Sequence, residues 1–237
     1  MPFIDPDDGL LAVFNIFETD LPQNQERVVE EMRDIVDNAD YPGWISSSVH
    51  AAVERPGTAN LVQWRSLADL QARYSSDRFR KGTVPLFRQL ATSVRLLQTE
   101  AVFAQRHADL EATEIALGRD DHTVIVVLDV DPANQQALLD ELAKPDQWLR
   151  DEVPGYRSHT YFRSLDGSTV VNFAQWASRA DYDRFHTLPE ERRPADVAGA
   201  RRRAGELVTA RSSNGYRLVH SRTADTADVP AGRTPGS

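Results

Sequence analysis

The chain contains no cysteine, and lysine occurs only at Lys81 and Lys144. Without cysteine there is no disulfide framework, no thiolate nucleophile and no cysteine-ligated metal site. No apolar run approaches the roughly 20 residues needed to cross a bilayer, and the first residues lack the basic and apolar regions of a signal peptide. These absences predict a cytoplasmic protein with no membrane partner.

The chain also has fewer basic than acidic residues. The sequence has 27 basic and 36 acidic residues, which gives a net charge of −9. This balance opposes non-specific attraction to nucleic acid and to anionic membranes, so neither is an expected partner. Hydrophobic residues make up 41% of the chain, which is enough to bury a sizeable core.

One short motif occurs twice in the sequence. Asn-x-x-Gln-Trp occurs at residues 60–64 and again at 172–176, an offset of 172 − 60 = 112 residues. Pro42-Gly43-Trp44 matches Pro154-Gly155-Tyr156 at the same offset, and Ser66, Ala68 and Asp69 match Ser178, Ala180 and Asp181. An upstream Pro-x-Asn-Gln matches at an offset of 110. The pattern indicates a duplicated unit.

The secondary-structure signals agree between the copies. Each begins with a β-branched or aromatic run, at 11–17 and 123–130, and continues into a helix; Pro145 is expected to end or kink the second copy's helix. A Pro-Gly turn, a hairpin, a second helix and a last strand follow. We therefore predict an α+β fold of two tandem ferredoxin-like (β-α-β-β-α-β) domains, at 9–106 and 120–222, that form a pseudo-dimeric α/β barrel, with a disordered tail at 223–237.

The repeated motif resembles that of the antibiotic biosynthesis monooxygenases, dimeric α+β barrels that include the cofactor-independent anthrone oxygenases. The resemblance implies that an asparagine and a tryptophan on the third strand of each unit line a substrate pocket. These are Asn60 with Trp64, and Asn172 with Trp176. It also implies a role for an asparagine on the first strand, which Asn15 matches in the first copy, whereas the second copy offers Val127 or a neighbouring apolar residue.

The double length is similar to that of the oxygenases that open or contract an angucycline ring in the jadomycin, gilvocarcin and kinamycin pathways. That subgroup implies reduced flavin, FADH2 or FMNH2, and with it a flavin reductase as partner. The anthrone oxygenases imply no cofactor, and neither subgroup implies a metal. Arg201-Arg202-Arg203 could bind a flavin phosphate, although a solvated helix face is the favoured interpretation.

The residue types suit oxidation of a fused phenolic ring system by O₂. Alternation along a strand places the asparagine and tryptophan of each motif on one pocket wall, with the glutamine on the other face. The tryptophan offers a flat stacking surface, and the amide can bond an enolate oxygen. An electron-rich carbanion can then pass an electron to O₂, or O₂ can be loaded first on flavin.

A proton acceptor is also needed, and histidine titrates closest to neutral pH. His50 has the parity of Trp44 on the strand paired with Asn60, so we expect it in the first pocket. His159 falls on the opposite face by the same rule. His186 follows Trp176 by ten residues, on a short helix. His50 and His186 are the candidates, and a core or surface role without chemistry is the alternative for each.

Three other functions compete. Haem degradation in related barrels needs a first-strand asparagine, the tryptophan and a histidine ten residues later, but Tyr74 stands at the histidine position in the first copy and the second copy lacks the asparagine. A polyketide cyclase and a non-catalytic polyketide-binding module are the other two. Our prediction is an oxygenase acting on an aromatic polyketide and O₂; its substrate, its active half and formation of a homodimer stay open.

Overall fold

The computed structural model describes residues 1–224, and its strands and helices follow the duplicated order that the sequence predicts. In chain order the elements are β1 (Phe3–Ile4), β2 (Leu11–Glu18), α1 (Pro22–Asp37), β3 (Trp44–Ala52), β4 (Gly57–Trp64), α2 (Leu67–Ser75), a π-helical segment (Arg78–Thr83), α3 (Val84–Leu90), β5 (Ser93–Arg106), β6 (Thr113–Glu114), β7 (His122–Val130), α4 (Gln135–Leu142), α5 (Gln147–Glu152), β8 (Tyr156–Ser164), β9 (Thr169–Trp176), α6 (Arg179–His186), α7 (Ala195–Leu207) and β10 (Val208–Thr223), with single 3-10 turns at Pro132–Asn134 and Glu190–Arg192.

Eight of these strands close into one antiparallel barrel, in the order β10-β3-β4-β2-β5-β8-β9-β7. The last strand of each half reaches across to the other half. β5 pairs with β8, and β10 pairs with both β7 and β3. These two strands are 14 and 16 residues long, which lets each of them bridge both halves. The predicted α+β, ferredoxin-like, pseudo-dimeric barrel is confirmed.

The strands separate two apolar layers. Inside the barrel, large side chains from both halves pack together, including Phe14, Leu61, Phe162 and Phe173, all essentially without solvent exposure. Burying each such side chain stabilises the fold by roughly 1.5–3 kcal/mol. The helices cover the outer face, where Trp44, Trp64 and Leu70 form one cluster and Tyr156, Trp176 and Phe185 form its counterpart.

The glutamine of each repeated motif faces the barrel interior, as alternation predicts, and binds the two-stranded ribbon of β1 and β6. Gln63 Nε2 donates to the carbonyl of Phe3 at 3.0 Å, and Gln175 Nε2 donates to the carbonyl of Glu114 at 2.9 Å. Phe3 and Glu114 are themselves register partners. The glutamines therefore attach this ribbon to both halves of the barrel.

A glycine and an aspartate lock the Pro-Gly turn onto the short helix that follows β9. Gly155 has φ +77°, and a Cβ there would overlap the carboxyl group of Asp181. Asp181 in turn accepts from Ser178 Oγ at 2.6 Å, and its backbone N–H donates back to that hydroxyl. The first half repeats this arrangement with Gly43, Asp69 and Ser66.

Several local expectations hold. The helix of the second copy ends at Leu142, before Pro145, and a separate helix begins at Gln147. The domain ranges 9–106 and 120–222 stay a prediction, although the barrel strands lie within them apart from Thr223, the last residue of β10. Of the predicted tail at 223–237, residues 225–237 lie outside the described part of the chain. None of the helices in residues 1–224 is long and apolar enough to span a bilayer.

Candidate functional site

Two pockets lie between the barrel's outer face and the helices, one in each half. The first half encloses a cavity of about 360 Å³, called here the N-terminal pocket. Asn60 and Trp64 line it from β4, and Asn15 faces Asn60 directly from β2. Tyr74 of α2 completes this set and stacks on Phe79 with ring centroids 4.7 Å apart. The structure thus brings together four of the predicted residues.

The second half holds a larger cleft of about 800 Å³, called here the C-terminal pocket. Asn172 and Trp176 line it from β9, and His186 lines it from α6. In register, Val126 stands opposite Asn172, so it takes the place that Asn15 has in the first half. The sequence offered Val127 or a neighbouring apolar residue for this place; the structure selects the neighbour Val126, while Val127 faces the barrel interior.

Buried polar atoms in the C-terminal pocket lack partners. Asn172 Oδ1 and Trp176 Nε1 are both buried and have no hydrogen bond to any residue in the described range. Such atoms are costly unless a ligand or a water satisfies them. In the first half Trp44, which corresponds to Tyr156, donates its indole N–H to the hydroxyl of Ser47 at 3.0 Å.

His159 also lies in the C-terminal pocket, beside Ala174 and between Tyr156 and Tyr161. The Tyr156 hydroxyl donates its single proton to the carbonyl of Gln105 at 2.8 Å, and burial raises the pKa of this phenol. The 2.8 Å bond between that hydroxyl and His159 Nδ1 must then be donated by the histidine. This fixes the tautomer and leaves the lone pair on Nε2, which has no partner among residues 1–224.

Burial controls the charge of both histidines in this pocket. It lowers the pKa of His159 to about 4. The pKa of His186 also falls to about 4, mainly through burial and further through the positive charges of Arg201 and Arg211. Both imidazoles are therefore neutral near pH 7. The ring centroids of His186 and Tyr182 lie 4.2 Å apart.

The placement of His50 corrects the sequence prediction. A β-bulge between Trp44 and Ser46 shifts the parity of β3, so His50 pairs with Ala59 and faces the barrel interior. Its ring contacts Phe173 at a centroid distance of 5.7 Å, and burial lowers its pKa to about 4. His50 therefore reaches neither pocket. The prediction that this candidate catalytic histidine lies in the first pocket is therefore wrong.

The same irregularity corrects the expectation for His159. In β8 a bulge between Tyr156 and Ser158 moves His159 to the pocket face, although simple alternation assigns it to the opposite one. At the offset of 112, His159 corresponds to Ser47 and His50 corresponds to Phe162. Both errors therefore have one cause, a bulge that each half carries at the same position.

The arginine triplet at 201–203 divides between pocket and surface. Arg202 pairs with Glu190, and Arg203 pairs with Glu141 at 2.8 Å. Arg201 lines the pocket and has no ion pair within the described chain. Arg201 and Arg211 are thus the residues that could hold a flavin phosphate or another anion. No cluster of three or more metal-ligating side chains occurs in residues 1–224.

Comparison with known proteins gives the family. The model of the antibiotic biosynthesis monooxygenase family matches residues 121–193, which include β7 to β9 and α6. A crystal structure described as an anthrone oxidase-like protein superposes with a TM-score of 0.89 at 36% identity, over 98% of this chain and 100% of that one. The chain belongs to the antibiotic biosynthesis monooxygenase family. The prediction of an oxygenase is confirmed at this level.

One relative of the chain comes from Streptomyces glaucescens. The tetracenomycin-F1 monooxygenase is 40% identical over 67 residues, which is 28% of this chain and 60% of that protein. The aligned region thus falls short of two thirds of that relative's length. The specific activity and substrate of this family member are taken up as proposals below.

Sequence reasoning missed several pocket residues of this monooxygenase family member. The bulge, for which the sequence gives no clear signal, hid the pocket position of His159, and Tyr156 was noted only as the match of Trp44. Arg73 was overlooked, although its spacing of three from Leu70 places both on the buried face of α2. Arg211 lies on β10, where apolar and polar residues do not alternate clearly, so the sequence does not assign it to a face.

Proposed function

We propose that this chain is an oxygenase that oxidises a polycyclic aromatic polyketide, of the anthrone or phenolic angucycline type, in its C-terminal pocket. One observation carries the proposal: the unpartnered Nε2 of neutral His159 shares a cleft with the unpartnered Asn172 amide oxygen and Trp176 indole. The names of the two relatives, an anthrone oxidase-like protein and a tetracenomycin-F1 monooxygenase, support the choice of substrate class.

His159 is proposed as the proton acceptor. Its Nδ1–H is held by the Tyr156 hydroxyl, so the ring is oriented before substrate arrives, and the free Nε2 can take a proton from a phenol or an acidic ring carbon. A pKa of about 4 makes this imidazole a weak base. The negative charge that develops on the substrate would favour the protonated ring as the proton moves.

Asn172 and Trp176 are proposed to hold the substrate. The indole face offers a stacking surface for a fused ring system, and its N–H can donate to a substrate oxygen. Asn172 Oδ1 can accept from a substrate hydroxyl, and the amide NH₂ of the same side chain can donate to an enolate oxygen. Arg201 and Arg211 add positive charge to the same cleft. A developing enolate would therefore be stabilised by fixed dipoles and cations that line one cleft.

The proposed reaction uses the substrate as its own reductant. His159 removes one proton, the carbanion transfers one electron to O₂, and the substrate radical and superoxide combine to form a carbon-bound peroxide anion. The protonated His159 then returns its proton, which gives the hydroperoxide and regenerates the neutral imidazole. For an anthrone, loss of water across the C–O–OH group then gives the quinone, so one O₂ yields one carbonyl oxygen and one water. Direct electron transfer of this kind needs no flavin and no metal.

Reduced flavin is the alternative source of activated O₂, and its use would bring in a flavin reductase. Ring cleavage or contraction would be the alternative to quinone formation. A cyclase would use the same enolate but consume no O₂, and a binding module would change neither compound. O₂ uptake separates the oxygenase from the cyclase and the binding module, its dependence on flavin separates the two sources of activated O₂, and the identity of the product separates quinone formation from ring cleavage.

The test is O₂ uptake with an anthrone and with a phenolic angucycline, each mixed anaerobically with the protein and then exposed to air. Parallel arms contain FMN or FAD with a reductase. We expect uptake of one O₂ per quinone formed without flavin, and its loss in His159→Gln. A substrate that binds without O₂ uptake in any arm would contradict the proposal and favour the cyclase or the binding module.

A further inference from the structure

The N-terminal pocket differs from the C-terminal one in the charges that line it. Its walls contain two arginines, Arg73 and Arg88, and no aspartate, glutamate or histidine. This composition stands out in a chain whose net charge is −9. Ser47 occupies the position of His159, so the pocket also lacks the proposed proton acceptor.

Arg73 is the central feature of this pocket. Its side chain points inward from α2, the residue is only 9% exposed, and Nη1 is buried without a hydrogen-bond partner in the described chain. The guanidinium lies over the Tyr41 ring at 4.2 Å and over the Phe79 ring at 4.9 Å, but no carboxylate reaches it within residues 1–224. Burial lowers its pKa, yet an arginine stays protonated under any ordinary condition.

Another buried arginine shows what a purely structural role looks like. Arg193 is equally buried and its Nη1 also lacks a partner in the described chain, but its Nη2 donates to the carbonyls of Phe185 and Leu188 at 2.6 and 3.3 Å. Arg73 has no such acceptor. A buried cation without an acceptor is costly, so a protein that retains one usually pairs it with a ligand. At the offset of 112, Arg73 corresponds to Phe185, which makes this cation specific to the first half.

The rest of the pocket is shaped for a flat ring system with few polar groups. Trp64, Tyr41 and the stacked pair of Tyr74 and Phe79 supply aromatic walls. Asn60 Oδ1 and the Tyr41 hydroxyl are buried and unpartnered within the described range. A volume of about 360 Å³ falls in the range of small-molecule sites.

We propose that the N-terminal pocket is a second, non-oxidising site that binds a planar aromatic carboxylate. The ligand's carboxylate pairs with the Arg73 guanidinium, whose fork matches a carboxylate in geometry. Its rings stack among the aromatic walls, and Asn60 bonds a ring substituent. The inference does not depend on the activity proposed for the C-terminal pocket, because binding here can be measured without turnover.

The experiment follows binding of anthraquinone-2-carboxylate through tryptophan fluorescence, with the neutral anthraquinone-2-carboxamide as the matched probe. Trp148→Phe and Trp176→Phe together restrict the signal to Trp44 and Trp64, which line the N-terminal pocket. In this background Arg73→Gln removes the proposed contact. Arg80→Gln is the control, because it removes one positive charge from an exposed position nearby.

We expect the carboxylate to quench the fluorescence saturably and to bind at least tenfold more tightly than the carboxamide. Arg73→Gln should remove that preference and weaken carboxylate binding at least tenfold, while Arg80→Gln stays within about twofold of the parent. Equal affinity for the two probes, unchanged binding in Arg73→Gln, or no quenching would each overturn the proposal. If the Arg73 variant does not fold, the two probes compared in the Trp148→Phe and Trp176→Phe background still decide, since only Trp44 and Trp64 of the N-terminal pocket report binding there.

Discussion

At the scale of single residues, the two pockets differ at three pairs of equivalent positions. Ser47 corresponds to His159, Tyr74 to His186, and Arg73 to Phe185. The shared asparagine and tryptophan give both pockets a similar wall, whereas these three pairs set charge and proton transfer. The second half carries neutral imidazoles at these positions, and the first half carries a buried cation. The two related halves thus hold two chemically different cavities.

His159→Gln should lower kcat for O₂ uptake by about 100-fold or more, since a positioned general base contributes roughly 10²–10⁴-fold. Glutamine can still accept from a donor and fill the space, but it cannot take the proton. The measurement is initial O₂ consumption at saturating substrate. His50→Phe is the control and should keep its rate, because His50 lies inside the barrel; equal losses in both variants would contradict the assignment.

Asn172→Ala should lower turnover by about 100-fold, by analogy with the loss of one oxyanion donor, whereas Asn60→Ala should change it by less than about threefold. The two asparagines occupy equivalent positions on β9 and β4, so each variant controls for the effect of the other on folding. Steady-state O₂ uptake gives the comparison. A large loss in Asn60→Ala with none in Asn172→Ala would move the reaction to the N-terminal pocket.

At the scale of elements, a turn and a helix cap are built as one unit in each half. The Pro-Gly turn brings its glycine, which has positive φ, against the aspartate that accepts a hydrogen bond from the N-cap serine of the following short helix. This contact fixes where β8 begins relative to α6. Trp176 and His186, which line the C-terminal pocket, sit at the ends of β9 and α6 and therefore on either side of this contact.

Gly155→Ala should destabilise the protein by about 2 kcal/mol or more, because alanine strains at φ +77° and its Cβ overlaps the Asp181 carboxyl group. Urea unfolding at pH 7 measures the change in unfolding free energy. Gly205→Ala is the control with the opposite sign. That glycine lies in α7 with open space at its Cβ, so alanine should stabilise by about 0.5–1 kcal/mol. A Gly155→Ala variant as stable as the parent would refute the steric account.

At the scale of the whole molecule, the barrel depends on both halves, because β5 and β10 each complete the sheet of the other unit. This closure leaves no open edge in the barrel sheet. It also buries polar groups, among them His50, whose neutral ring lies in the shared interior.

Stability should fall as the pH drops from about 6.5 toward 4. Burial holds His50, His159 and His186 at a pKa of about 4, below the ordinary 6.5, so the unfolded chain binds more protons than the folded one in this window. Their contribution is therefore present above pH 6.5 and is lost as the pH falls through the folded pKa. Asp8 acts in the opposite direction, since burial raises its pKa to about 6.

His50→Phe tests this dependence with a substitution that the second half already carries, as Phe162. Between pH 7 and pH 5 the parent should lose about 2 kcal/mol more unfolding free energy than the variant, the value of about 1.5 pKa units for one histidine. Urea unfolding of each protein at both pH values cancels the packing change. The same loss in both proteins would show that His50 is not held neutral.

The duplicated order of elements, the hairpins, the helix break at Pro145 and the shared face of Asn60 with Trp64 were all predicted from the sequence. These features depend on local rules, namely alternation along a strand, turn chemistry and the repeat itself. The two histidines were assigned to the wrong faces for a different reason. A bulge is set by hydrogen bonds to the neighbouring strand, so residue parity counted along one strand does not reveal it.

The sequence by itself determined that the protein has two related halves, each with an asparagine and a tryptophan on one strand face, because these facts follow from the repeat and from local geometry. Only the tertiary structure decided that His159 enters a pocket, that His50 lies inside the barrel, and that Arg73 is buried without an acid. Those outcomes depend on strand register and on side chains brought together from distant parts of the chain.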